Sequence, residues 1–260
     1  MNFLHEKDVF HNVKVKSYGI DDYRQIIVAS QKIFKSENWE LSKKEKAFKV
    51  ELEETEETEE AEETKKTKKE VRADSVKRAK TSIFDISMLN DFTHFVTWTL
   101  DSKLISRYDI AEIKTKLCDF LKNKVKRNNL KYLVVGEQHK DGAIHFHSLI
   151  AGDLKLVDSG HKDKKGNIIY NMPAWKYGFS TAIELYGDRL HTSKYIVKYI
   201  QKDFKKLFGK FYFAGGDINR KPEITFADID FEEVEGKVYK PDLSPVGFKY
   251  MDEIILRESV

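Results

Sequence analysis

This 260-residue sequence has one cysteine, four prolines and no apolar run near the roughly 18–20 residues that a bilayer-spanning helix needs. A lone thiol, Cys118, excludes an intrachain disulfide and a cysteine-based zinc site, and it reads best as a small apolar filler. The opening MNFLHEKDVF lacks the apolar core of a signal peptide, so a soluble cytoplasmic protein without a membrane partner is expected. No G-x-x-x-x-G-K-[ST] pattern occurs, so no phosphate-cradling NTPase loop is expected. What is present is 40% hydrophobic and 12% aromatic residues, enough for one sizeable core with an appendage.

The net charge of +3 hides a segregation. Residues 51–64 carry nine glutamates and no lysine or arginine, so the remaining 246 residues carry +12. Residues 65–80 set eight Lys/Arg against two acids, and residues 81–225 add a further +8. A basic body with one acidic block points to polyanionic partners and leaves the fold open.

Residues 1–35 read as an N-terminal extension with a short strand (VKVKSYG) and an amphipathic helix (DDYRQIIVASQKIF). Residues 36–77 are dominated by Lys and Glu with few apolar anchors, which reads as a tether or a marginal helix. A compact domain is expected over 78–225, followed by a tail over 226–260. Within that domain HFVTWTLD (94–101) alternates as a strand should. DIAEIKTKLCDFLKNKVKR (109–127) instead places Ile110, Ile113, Leu117, Phe120 and Leu121 at helical spacing. KYLVVGEQ, an Asp-Gly turn and AIHFHSLIAG form a predicted hairpin. DSGHKDKKGN reads as a loop, YGFSTAIELY as a strand, and TSKYIVKYIQKDFKKLF (192–208) as a helix opened by a Thr or Ser cap. KFYFAGG and EITF are expected to close the domain. This order predicts an α+β fold, an antiparallel sheet of about five strands with helices packed on it.

His145 and His147 flank Phe146 in a predicted strand, so both imidazoles share one face while Phe146 turns to the other. Two imidazoles on one face make a metal half-site, although an H-x-H pair is also common by chance. Glu137, at the end of the preceding strand, completes a set suited to Mg²⁺ or Mn²⁺. Asp101 is a competing carboxylate, and His139 approaches from the turn. In the last predicted helix Tyr195 and Tyr199 are four residues apart, and Lys198 and Lys202 each follow a tyrosine by three. That is an ordinary amphipathic pattern. It is also what a tyrosine nucleophile needs, because a phenol of pKa about 10 is mostly protonated at neutral pH and an adjacent ammonium favours phenolate.

HFVTWTLD, GEQHKDGAIHFHSLI and KYIVKYIQKD, in this order, resemble the three motifs of rolling-circle replication initiators of the HUH endonuclease superfamily, from small plasmids and bacteriophages. GKFYFAGGDINRKPEI is similar to the segment that follows their tyrosine helix. The resemblance covers roughly 78–225 and implies an HUH-endonuclease sheet of RRM-like type. It further implies that His145, His147 and Glu137 bind the divalent metal, and that Tyr199 is the nucleophile with Lys202 as partner. Tyr195 and Lys198 match the second Tyr-x-x-Lys of two-tyrosine branches, and Asp203 fits branches reading Tyr-x-x-Lys-Asp.

Trp98 departs from the first motif, where a smaller aliphatic is usual, and this puts the DNA contacts expected of Thr97 and Thr99 in question. Further phosphate-gripping candidates are Lys77, Arg78 and Lys80, the loop 161–165 and the helix end 122–127. The implied partners are single-stranded or hairpin origin DNA, with a separate host helicase and polymerase. A transposase or relaxase of the same chemistry, and a non-catalytic DNA-binding module, are the alternatives.

Overall fold

In the computed structural model, which describes residues 9–19, 23–36, 73–198, 207–230, 238–239 and 250–257, the chain divides into two compact units. One unit is Val71–Pro222, and the other is made of Met1–Glu70 with Glu223–Val260. The chain enters the second of these through β1 (Val9–His11), β2 (Val13–Ser17), β3 (Tyr23–Ala29) and β4 (Phe34–Ser36).

The unit 71–222 opens with α1 (Ala73–Leu89), β5 (His94–Leu100), α2 (Ile110–Asn128), β6 (Lys131–Gln138) and β7 (Ile144–Ala151). It continues with β8 (Val157–Lys162), β9 (Ile168–Asn171), β10 (Gly178–Glu184) and α3 (Arg189–Val197). A 3-10 turn (Leu207–Gly209) and β11 (Tyr212–Gly215) complete it. The strands form one antiparallel sheet in the order β11-β6-β7-β5-β10-β9-β8. The fold is α+β, as the sequence indicates.

The sheet has seven strands rather than about five, because DSGHKDKKGN is the body and tip of a β8–β9 hairpin and not a loop. Its residues are mostly exposed and polar, so no apolar alternation marks them. The turn is held instead by Asp163, whose carboxylate accepts the Lys165 and Asn167 N–H groups and the Asn167 side-chain amide.

Period two splits each strand between two cores. Val96, Trp98 and Leu100 of β5 face one way, with Val134, Phe146 and Ile150, onto Ile113, Leu117, Phe120 and Leu121 of α2. Trp98 is fully buried there and stacks on Trp175 at 5.4 Å. The helix starts where Asp109 accepts the Ala111 and Glu112 N–H groups and ends at Asn129 in the left-handed region. Leu133, Val135 and Leu149 face the other way, onto Val76, Ala79, Ile83 and Ile86 of α1 and Ile196 of α3. Each fully buried aliphatic chain contributes about 1.5–3 kcal/mol.

Helix α1 is a third layer that the charged surroundings of 65–80 conceal in the sequence. The predicted helix 192–208 begins earlier, at Arg189, with Asp188 rather than Thr192 or Ser193 as its cap. Its described α-helical part ends at Val197, and residues 199–206 lie outside the described residues. Buried Asn90 ties these pieces together. Its amide donates to the Ile86 and Asn219 carbonyls, its side-chain oxygen accepts the Asn219 N–H, and its carbonyl accepts from Arg189.

The chain then returns to the other unit with β12 (Glu223–Ala227), β13 (Val238–Tyr239) and β14 (Tyr250–Arg257). There the sheet order is β12-β2-β3-β14-β13, so EITF pairs with β2 instead of the larger sheet. The amphipathic helix expected in DDYRQIIVASQKIF is corrected to the strand β3. Ile26, Ile27 and Val28 are β-branched, and β2 and β14 pair with the strand on its two sides. Buried Asn12 locks the end of β12 by exchanging side-chain hydrogen bonds with both backbone groups of Ile229.

Candidate active site

The sheet brings three adjacent strands into two rows. Glu137 of β6 pairs with His145 of β7, which pairs with Thr99 of β5, and the next row is Val135, His147 and Thr97. Antiparallel partners place their side chains on the same face, so Glu137, His145, His147, Thr97 and Thr99 converge. Phe146 is fully buried on the opposite face, as the alternation requires.

Glu137 and His147 are buried, and His147 Nε2 lies 2.7 Å from Glu137 Oε2. The Oγ1 of Thr97 is 3.3 Å from His147 Nδ1, and the Oγ1 of Thr99 is 3.3 Å from His145 Nδ1. A carboxylate only accepts, so in the neutral His147 ring the proton is on Nε2 and Nδ1 accepts the Thr97 O–H. His139 does approach from the turn, its ring 4.0 Å from that of His145. Burial pushes the His145 imidazole below its ordinary range, with His139, His147 and Arg107 adding to the shift and Glu137 opposing it. A neutral ring keeps a nitrogen lone pair for a ligand.

Asp101, the competing carboxylate, is engaged in the turn after β5, where it accepts the Lys103 N–H. Among the described residues no set of three or more His, Cys, Asp or Glu is arranged to hold a metal ion as placed, and Glu137 and His147 bond to each other instead.

Helix α3 lies on this same face, anchored by fully buried Ile196 against Val135 and Leu149. Tyr195 is 41% exposed and meets Phe95 edge-on at 5.3 Å, and Phe95 in turn stacks on His147 at 6.0 Å. Tyr195, Phe95 and His147 thus form a continuous line of rings. Lys198 is exposed at the C-cap of α3. Tyr199 and Lys202 lie outside the described residues. Lys77 and Arg78 are exposed on α1 and Lys80 is partly exposed, while Trp98 points into the opposite core.

Two participants escaped the sequence reading. Phe95 shares parity with Thr97 and Thr99 in β5, and that alternation was the available signal. Arg107, whose charge reaches His145, follows no motif at all.

Residues 93–204 match the family model of the replication-associated protein ORF2. No curated protein and no solved structure gives a significant match to the chain. The matched segment runs from the start of β5 through α3 and so contains every site residue placed above. The match supports a replication initiator role.

Proposed function

We propose that the chain initiates DNA replication by nicking and rejoining single-stranded origin DNA with a tyrosine nucleophile. The observation that carries this reading is the shared sheet face, with the His145/His147/Glu137 group and the tyrosine-bearing helix joined through Phe95. Storage of the bond as a phosphotyrosine is what a replication initiator needs if it is to reseal a strand without ATP.

Glu137, His145 and His147 are the residues that would hold Mg²⁺ or Mn²⁺, once the Glu137–His147 hydrogen bond gives way. When bound, such an ion polarises a non-bridging phosphate oxygen. Thr97 suits both states, because a hydroxyl that donates to Nδ1 can equally accept from it when the proton moves off Nε2. In the proposed step the Tyr199 oxygen bonds to phosphorus and the bond to the 3′ oxygen breaks. The phenolic proton leaves to solvent and the departing oxygen takes one up. The products are a 5′-phosphotyrosyl link and a 3′-hydroxyl that a separate polymerase extends, behind a separate helicase. Lys202 favours the phenolate, and Tyr195 with Lys198 repeats the arrangement one turn earlier for a second strand.

The test is covalent. The protein with Mn²⁺ and a labelled single-stranded hairpin is expected to give an adduct that survives denaturing electrophoresis. Tyr199→Phe is expected to remove it, and His145→Ala with His147→Ala to remove it while much of the DNA binding persists. Adduct formation unchanged in Tyr199→Phe, Tyr195→Phe and the double variant would sink the nucleophile assignment.

A further inference from the structure

A second feature lies one strand away from the histidines. A pocket of about 590 Å³ opens where α1 meets the outer strand β11 and the turn before it. Arg78 comes from α1, Lys210 from the turn, and Arg220 from the segment after β11. All three are exposed, and no carboxylate is among the described residues that line the pocket. Between them are the half-buried rings of Tyr132, Tyr212 and Phe213.

These cations are not scattered on a polar surface. The Arg220 Nη2 donates to the Ala214 carbonyl at 2.7 Å, which holds the guanidinium against the edge strand of the sheet. Burial raises the Tyr132 phenol above its ordinary range, with Cys118 adding and Arg220 opposing, so the phenol stays a neutral donor near that guanidinium. Cations with aromatic rings between them are the combination that grips a flexible polyanion whose bases are unpaired. The cations take the phosphates and the rings take a base face.

The position also fits. Tyr212 of the pocket pairs with Val135, two residues from Glu137 along β6, so the lining begins only about 7 Å along the sheet from the histidine row.

We infer that this pocket binds a nucleotide of single-stranded DNA flanking the nick site, with its phosphates on Arg78, Lys210 and Arg220 and a base against the aromatic rings. The inference rests on the nicking reading for its substrate and extends it to how the strand is held outside the reacting phosphate.

The experiment uses the full chain and a fluorescein-labelled oligothymidine of about 16–20 nucleotides, read by anisotropy across a salt series. Arg78→Gln with Lys210→Gln is expected to weaken binding about tenfold at low salt, and to lower the salt slope by about 0.7 for each lost phosphate contact. Adding Arg220→Gln is expected to deepen both effects. Because Arg220 also bonds the sheet edge, the double variant, which leaves that bond intact, decides if the triple variant melts early. Unchanged affinity and slope in the double variant overturn the pocket. So does an equal loss against duplex DNA, which would mean a general polyanion patch, or a loss confined to oligouridine RNA.

The two readings fail separately. A wild-type chain that makes no adduct, while the double variant loses affinity, sinks the nicking step alone. A wild-type chain that makes the adduct, while the double variant binds as before, sinks the pocket alone.

Discussion

At the scale of single residues, the site is governed by which groups burial keeps neutral. His94 illustrates the sign. Burial pushes its imidazole below the ordinary range, and Glu184, its cross-strand partner in β10, opposes that shift. A histidine with a depressed folded-state pKa binds fewer protons than the unfolded chain near pH 6. Its contribution to stability is therefore complete above about 6.5 and is lost as pH falls below that value. By NMR titration His94 should show a midpoint below about 6.5, and Glu184→Gln should lower it further. An upward move in that variant would contradict the assignment. Residue identity was legible here to the extent that period two places side chains. His145, His147, Thr97 and Thr99 share a face because alternation says so, and Trp98 goes into the core for the same reason. The 2.7 Å bond between Glu137 and His147 was not legible, because it depends on rotamers and not on spacing.

Among the elements, the strand that backs both histidines depends on a glycine. Gly178 begins β10 opposite Leu100 with φ of +149°, and a Cβ there would collide with the Thr99 carbonyl and the Asp101 N–H. Gly178→Ala is expected to cost roughly 1–3 kcal/mol, read as a lower denaturant midpoint, and to disturb Thr99 beside His145. An unchanged midpoint would show that β5 tolerates the shift. Helix α2 was readable in full, with its cap, stripe and end, because one apolar face packs on one sheet. The β8–β9 hairpin and strand β3 were not, for opposite physical reasons. The hairpin has no buried side to leave a pattern, whereas β3 has a pattern that a helix would also permit until β2 and β14 pair along it.

At the scale of the whole molecule, charge segregation carries the nearest prediction. The nine-glutamate stretch 51–64 lies outside the described residues, and it precedes a region that carries most of the basic surplus. Deleting it should tighten non-specific single-stranded DNA binding by roughly two- to tenfold at low salt and far less at high salt. Equal affinity at every salt concentration would leave the stretch as a solvated tether. The unit built from both ends of the chain was beyond sequence reasoning, because nothing local announces that residue 26 will pair with residue 254. That pairing sets a clock during synthesis. β3 emerges early, but its partner β14 begins 221 residues later, roughly 10–45 seconds at ordinary elongation rates. The seven-stranded unit is encoded entirely within that interval, so it can finish folding on the ribosome while an exposed edge of β3 still waits for its neighbour.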